Sequence, residues 1–369
     1  MNIQSLKIAD ITNYLESIAP LAYQEDYDNS GLLIGSSEFE ISSVLIALDC
    51  TEDIVDEAIS IGCNFIVCHH PIIFRGLKNI NGKNDIERAI IKAIKNDIAI
   101  YAIHTNLDNV HVGVNKKIAD KIGLQHVRIL SPKNQLLKKI ATYVPIDQLE
   151  KLKNSLFEAG AGNIGNYDQC SFSVEGIGTF RGNEQSDPYV GLKGEQHNEK
   201  EQKLEVVFPT HLQQNILSAL IKNHPYEDVA YDIYSIENFY DRVGAGMIGE
   251  LPSPLTPNDF LQHLKSSMNL KSIRYTESFQ TKIKTVAICG GAGSFLLKTA
   301  LTQKADAFVS ADFKYHEFFD ADKRLMIADI GHYESEFFTK ELLRDLILEK
   351  FPTFAVLLTQ INTNPIKYF

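Results

Sequence analysis

Three short segments of this sequence set histidines and carboxylates at spacings that suit metal ligation. The first is His69-His70, directly after the apolar run FIVC. Neutral imidazole is a common ligand of zinc, iron and nickel. At a strand end the chain can turn enough for two consecutive rings to converge. The dipeptide alone reads equally as a polar loop with one hydrogen-bonded histidine. The second segment, HTNLDNV, sets His104 and Asp108 four residues apart. Aspartate is a hard oxygen ligand able to bridge two ions; taken alone, Asp108 reads as the N-cap of the helix that follows. His104 fits an orienting or acid–base role beside a metal. The third segment, GHYESE, puts His332 and Glu336 at i and i+4, on one face of a helix, and turns Glu334 elsewhere.

His69, His70, Asp108, His332 and Glu336 are too few to close two tetrahedral sites, but they suit two open ones. Two divalent ions against one aspartate and one glutamate leave a positive centre that attracts anions such as phosphate. Paired ions of this kind suit hydrolysis through an activated water. Three histidines and two carboxylates suit zinc, iron, manganese or nickel.

The elements that must position these residues alternate. SSVLIALDC reads as a strand, and Thr51 starts a helix with Ile54, Val55, Ala58 and Ile59 on one face. NFIVCHHP is a short strand ending in the two histidines. A helix over about Asn84 to Lys95 leads into the strand DIAIYAI and His104. This order marks a parallel α/β sheet, where ligands bind at the carboxyl ends of strands. From about Arg128 to Asp241 the order becomes βαββαβ, the ferredoxin-like split motif. The polar stretch EQSDPYVGLKGEQHNEKEQ reads as a long hairpin loop within it. The last third returns to α/β alternation, through TVAICGGAGSF, ADAFVSADF and RLMIADIGHYES, to a helix over EFFTKELLRDLILEKF and a final strand TFAVLLT. The expected organisation is a metal-binding α/β domain made of residues 1–127 and 242–369, interrupted by a ferredoxin-like α+β insert over residues 128–241.

Composition narrows the function classes. The chain has 369 residues, 44% of them hydrophobic, enough for two or three domains. The net charge of −11 disfavours a nucleic-acid partner, which needs a basic surface. No apolar run approaches the roughly 18 residues of a membrane span, and the first residues lack a signal peptide's pattern, so a cytoplasmic protein is expected. Cys50, Cys63, Cys68, Cys170 and Cys289 form no CxxC pair and read as free thiols. CGGAGS lacks the Lys-Ser/Thr of a P-loop and reads as tight strand-to-helix packing or an anion-binding turn. In DFKYH, the period-two spacing of Asp312, Lys314 and His316 fits one face near the metals or a sheet edge.

DNSGLLIG, FIVCHHPIIF, HTNLDNVHVGVN, CGGAGS, DFKYH and GHYESE, in this order along nearly the whole chain, resemble the NIF-three family. Its bacterial members carry the label GTP cyclohydrolase 1 type 2 homologue. The resemblance implies a dinuclear metal centre of two divalent ions per subunit, zinc foremost. His70 and Asp108 would be first-site ligands, His69 and His332 second-site ligands, and Glu336 the bridge. Tyr27 fills the family's aromatic place before Asp-Asn-x-Gly. The family also implies toroidal homohexamers. The middle segment, through HPYEDVAYDIY, is similar to the PII/CutA-like insert of longer bacterial members, and His224 with Glu227 there suggests either a further metal site or a structural turn. The function expected is a metal-dependent hydrolase of a phosphorylated or nucleotide-like small molecule, with His104 as candidate proton carrier. A non-enzymatic regulatory or scaffold protein with a ligand-sensing insert is the alternative.

Overall fold

Short runs of buried apolar residues set the frame. The computed structural model describes residues 6–368. In its first part lie β1 (Gly31–Ile34), β2 (Val44–Ala47), β3 (Phe65–Cys68) and β4 (Ala99–Ala102). β2, β3 and β4 are buried at every position, as strands covered on both faces must be. They pair in parallel, and β1 joins the edge of β4 antiparallel. Next come β5 (Gln125–Lys133), β6 (Leu137–Pro145), β7 (Phe172–Phe180), β8 (His197–Pro209) and β9 (Tyr231–Ile236). The chain ends with β10 (Tyr240–Leu255), β11 (Arg274–Tyr275), β12 (Ile283–Ala292), β13 (Ala307–Ala311), β14 (Met326–Asp329) and β15 (Val356–Leu358).

The chain divides into two compact units, Met1–Ser131 with Val243–Phe369, and Pro132–Arg242. The first unit holds two sheets, ordered β1-β4-β3-β2-β15 and β11-β14-β13-β12-β10-β5. β15 pairs in parallel with β2, so both ends of the chain share one sheet. In the other, β12, β13 and β14 run parallel. Helices Glu52–Ser60 and Asp85–Lys95 cover the first sheet, packing Ile54, Val55, Ala89 and Ile90 against Leu45, Ile66 and Ile100. Ile59, expected on the buried face, is 38% exposed. Where a boundary was expected at 128, β5 runs on to Lys133, because it forms the edge of the second sheet beside β10.

The second unit has the order β6, helix Leu149–Glu158, β7, β8, helix Gln213–Asn223, β9. Its antiparallel sheet, β7-β8-β6-β9, has the strand order of the ferredoxin-like split motif. Leu152, Leu156, Ile216 and Leu220 of the helices pack on Ile140, Val144, Leu204, Val206 and Phe208 of the sheet. The polar stretch read as a loop differs from the structure: its last residues, from His197, already belong to β8. They pair with β7 residue by residue up to Phe180, and cross-strand hydrogen bonding outweighs their polar composition.

The helix expected over EFFTKELLRDLILEKF is interrupted. A short helix, His332–Glu336, is separated by Phe337 and Phe338 from Thr339–Lys350. The two rings pack edge to face at 5.3 Å, with the Lys340 ammonium over one and that of Lys121 over the other. The five cysteines are free, four of them buried. Among the described residues no helix is long and apolar enough to cross a membrane.

Candidate metal centre

The segments His69-His70, HTNLDNV and GHYESE meet at one place in the first unit. His69 and His70 follow β3 directly, Asp108 closes the short helix Thr105–Asp108 after β4, and His332 starts the short helix after β14. These are carboxyl ends of parallel strands in the two sheets, where backbone groups turn away and side chains converge. The turn after β3 is tight: the backbone N–H groups of His69 and His70 both donate to the Leu48 carbonyl. Their rings lie with centroids 5.0 Å apart.

Two overlapping groups of ligand atoms result. His70, His332 and Glu336 form one, and His69, Asp108 and Glu336 the other, each with its ligand atoms within 4.8 Å of one another. His104 lies within the same reach of His69 and His70. Glu336 is shared, as the resemblance implies, but the histidines sort differently from that implication. His332 Nε2 lies 3.3 Å from His70 Nε2, whereas His69 Nε2 faces Asp108 Oδ1 at 3.6 Å. Glu336 reaches His70 with Oε2 at 2.9 Å, His332 with Oε2 at 3.2 Å and His69 with Oε1 at 3.9 Å.

One half of this cluster is short of a positive charge. His69 is fully buried, and its Nδ1–H donates to the Ile103 carbonyl at 2.8 Å. A carbonyl can only accept, so in the neutral ring Nε2 carries a bare lone pair. Burial first of all pushes the His69 pKa down and keeps the ring neutral. Nε2 has no hydrogen-bond partner, nor has the buried Asp108 Oδ1 opposite it. Burial, then the Glu336 charge, raises Asp108 well above the usual carboxylate range. A neutral imidazole lone pair facing an ionised carboxylate in a dry site is costly, and either a proton kept by Asp108 or a cation between them relieves it. The donor set, imidazole nitrogen with carboxylate oxygens, is one that zinc, iron, manganese or nickel accepts. Asp108 is thus not the helix N-cap of the bland reading.

The other half holds protons where a cation would lie. Burial lowers the His70 pKa, but hydrogen bonds to Asp49 and Glu336 outweigh it and hold the ring up to about 10. His332 is treated alike by burial, Glu336 and Asp312, and stays at about 9. Burial would raise Glu336, but His332 and His70 outweigh it and hold the carboxyl well below its usual range.

A ring of carboxylates fixes the outer nitrogens. Asp49 accepts from His70 Nδ1, Asp312 from His332 Nδ1 and Asp28 from His104 Nδ1, each at 2.7 Å. Such pairs fix the ring orientation and raise the basicity of a metal-binding imidazole. Thr363 in turn donates to Asp49, and Thr105 to Asp28. Sequence reasoning gave Asp28 and Asp49 no role. The available signal was position, since Asp49 follows β2 closely just as His69 follows β3. Within DFKYH only Asp312 is placed at the cluster; His316 stacks near Tyr315 and Phe319. Glu334 accepts from Asn364.

The glycines of CGGAGS make room for Glu336. A Cβ on Gly291, whose φ is +60°, would overlap Glu336 Oε1 and touch His332 Cε1 at 3.3 Å. The backbone amides of Gly290 and Gly291 donate to Asn115 and Ser335. In the second unit His224 proves a structural turn: Nε2–H donates to the Tyr143 carbonyl, and Nδ1 accepts from Tyr226 N–H.

Two outcomes follow. Gly291→Ala removes no ligand but displaces Glu336, and should weaken metal binding about 10–100-fold in a chelator competition; unchanged affinity would separate Glu336 from the metals. Binding must also expel protons, since ligating imidazoles are neutral. With His70 near 10 and His332 near 9 in the metal-free chain, affinity should climb as pH rises toward those values and level off above them. Calorimetry at pH 7.5 in buffers of differing ionisation enthalpy should show about two protons released per chain; no release would contradict the protonation assigned here.

Comparison with known proteins places the chain in a family. Residues 6–365 match the family model Duf34/NIF3 (NGG1p interacting factor 3). A Staphylococcus epidermidis protein named GTP cyclohydrolase 1 type 2 homolog is 37% identical, covering 98% of this chain and all of that one. A Bacillus subtilis protein of the same name is 36% identical over 99% of both. The crystal structure of a Bacillus cereus protein related to NIF3 superposes with a TM-score of 0.87 at 36% identity, covering 99% of this chain and all of that one. The chain belongs to the Duf34/NIF3 family.

Proposed function

We propose that this chain is a dinuclear metal-dependent hydrolase acting on a phosphorylated or nucleotide-like small molecule. The observation that carries the reading is the pair of unpartnered acceptors, His69 Nε2 and Asp108 Oδ1, beside a carboxylate that also serves His70 and His332. In this reading His69, Asp108 and Glu336 hold one divalent ion, and His70, His332 and Glu336 the other. Zinc is the first choice, with iron, manganese or nickel as substitutes. When bound, such ions supply Lewis acidity and lower the pKa of water.

The chain's own residues supply the rest. A cavity of about 430 Å³ adjoins the cluster, lined by His70, His104 and His332 together with Phe74, Tyr333 and Pro365. Aromatic rings beside cation ligands suit an anionic molecule with a ring of its own. His104, its Nδ1 held by Asp28, presents Nε2 as a proton carrier. The family label of its relatives points to GTP as one substrate to try. A soluble cytoplasmic homo-oligomer, a toroidal hexamer by the resemblance, belongs to the same reading.

The second unit favours one alternative, a regulatory protein whose insert senses a ligand, because it has a cavity of its own. One experiment separates the two. Protein loaded with zinc, manganese or iron is assayed on phosphoesters and GTP beside Glu336→Gln, with metal content measured in parallel. The hydrolase reading expects turnover in the loaded protein and a loss of about 100-fold or more in the variant. Full metal loading without turnover on any of these substrates would favour the regulatory reading.

A further inference from the structure

The face of the second unit's sheet turned away from its helices carries a cavity of about 630 Å³. Leu204 and Val206 of β8 face the helices, so Glu201, Lys203 and Glu205 point the other way. Glu201 lies in the floor of the cavity and is only 7% exposed. Its Oε1 accepts from the Tyr226 hydroxyl at 2.7 Å. Its Oε2 lies over Gly178, where any Cβ would overlap it. Glycine at that point makes room for the carboxylate.

Glu201 makes no ion pair among the described residues. Lys203, which also lines the cavity, is engaged by Glu205 at 2.7 Å. A carboxylate buried without a cation is costly, and a bound cation would relieve it. The surrounding walls are aromatic. Tyr226 lies with ring centroids 6.3 Å from Phe180 and 6.0 Å from Tyr189, and Tyr143 completes the lining. The faces of such rings attract cations and exclude water. Charge agrees: Glu175, Glu227 and Asp228 join Glu201 in the lining, against Arg181 and Lys203.

The site is held in shape from two sides. His224 ties Tyr226 to β6 through the two hydrogen bonds described above, and stacks on its ring at 5.1 Å. Glu227 accepts from the Asp187 backbone N–H at 2.7 Å, which fixes the loop carrying Tyr189. A metal ion fits poorly. One buried carboxylate among rings offers too few hard oxygens for calcium or magnesium, and the candidate metal groups among the described residues all lie in the first unit.

We propose that the second unit binds a small organic ammonium ion, its charge against Glu201 and the ring faces of Tyr226, Tyr189, Phe180 and Tyr143, and its hydrocarbon body in the remaining cavity. This goes beyond the hydrolase reading and stands whether or not that reading survives.

The test is calorimetric titration of the full-length protein with choline, with cadaverine as a primary-ammonium counterpart, and with 3,3-dimethylbutan-1-ol. The last is the neutral isostere of choline, carbon replacing the charged nitrogen. At least one of the two cations should bind, and the isostere should bind about tenfold or more weakly than choline if choline is the one bound. Glu201→Gln keeps the shape and removes the charge, and should weaken binding of that cation about tenfold or more. Tyr189→Ala removes a wall from a loop, leaves the sheet untouched, and should weaken it several-fold; it keeps the test intact if the first variant melts early by circular dichroism. Metal content should be unchanged in both. Three results would overturn the proposal: neither cation binding at millimolar concentration, the isostere binding as tightly as choline, or undiminished affinity in the folded variants.

Discussion

A buried imidazole lone pair facing two carboxyl groups governs this molecule. His69 gives its only N–H to Ile103, so its other nitrogen faces Asp108 and Glu336 as one acceptor facing two. Among the described residues neither His69 Nε2 nor Asp108 Oδ1 has a hydrogen-bond partner. A buried carboxylate left alone costs several kcal/mol, so this cluster is one that a bound cation would stabilise. The tight turn after β3, the glycine at 291 and the interrupted C-terminal helix all serve to bring these atoms together. Glu336 can reach three imidazoles because its helix is only five residues long and because no side chain stands on Gly291.

The metal-free chain meets the same demand with protons. Imidazolium at His70 and His332 balances Glu336, Asp49 and Asp312, so half of the cluster is satisfied without metal and half is not. The carboxylates behind the histidines serve both conditions. They stabilise the protonated rings, and they orient the neutral ones toward the centre. The ends of the chain meet here as well. β15 pairs with β2, Thr363 supports Asp49, and His332 and Glu336 complete groups begun by His69, His70 and Asp108.

Much of this was legible in the sequence, for a physical reason. Strands such as FIVC and AIYA are covered on both faces, so they appear as unbroken apolar runs, and the polar residues just after them are forced to a sheet's carboxyl end. That exposed His69, His70, His104 and Asp108. Helical periodicity did the same for His332 and Glu336. The pairing of these residues was not legible, because it depends on how two sheets face each other. Asp28, in the loop before β1, and Asp49, just after β2, were missed because single loop carboxylates are common and their partners lie far off in sequence. The first residues of β8 read as loop because cross-strand pairing, invisible locally, holds a polar segment extended. The bend at Phe337 and Phe338 was hidden by an apolar periodicity that continues through it.

The central claim is that two cation sites share Glu336. The most direct measurement is the number of metal equivalents per chain, by mass spectrometric elemental analysis of protein saturated with zinc and freed of loosely bound metal. The account predicts two per chain in the native sequence. A ceiling of one, or retention of none, would contradict it.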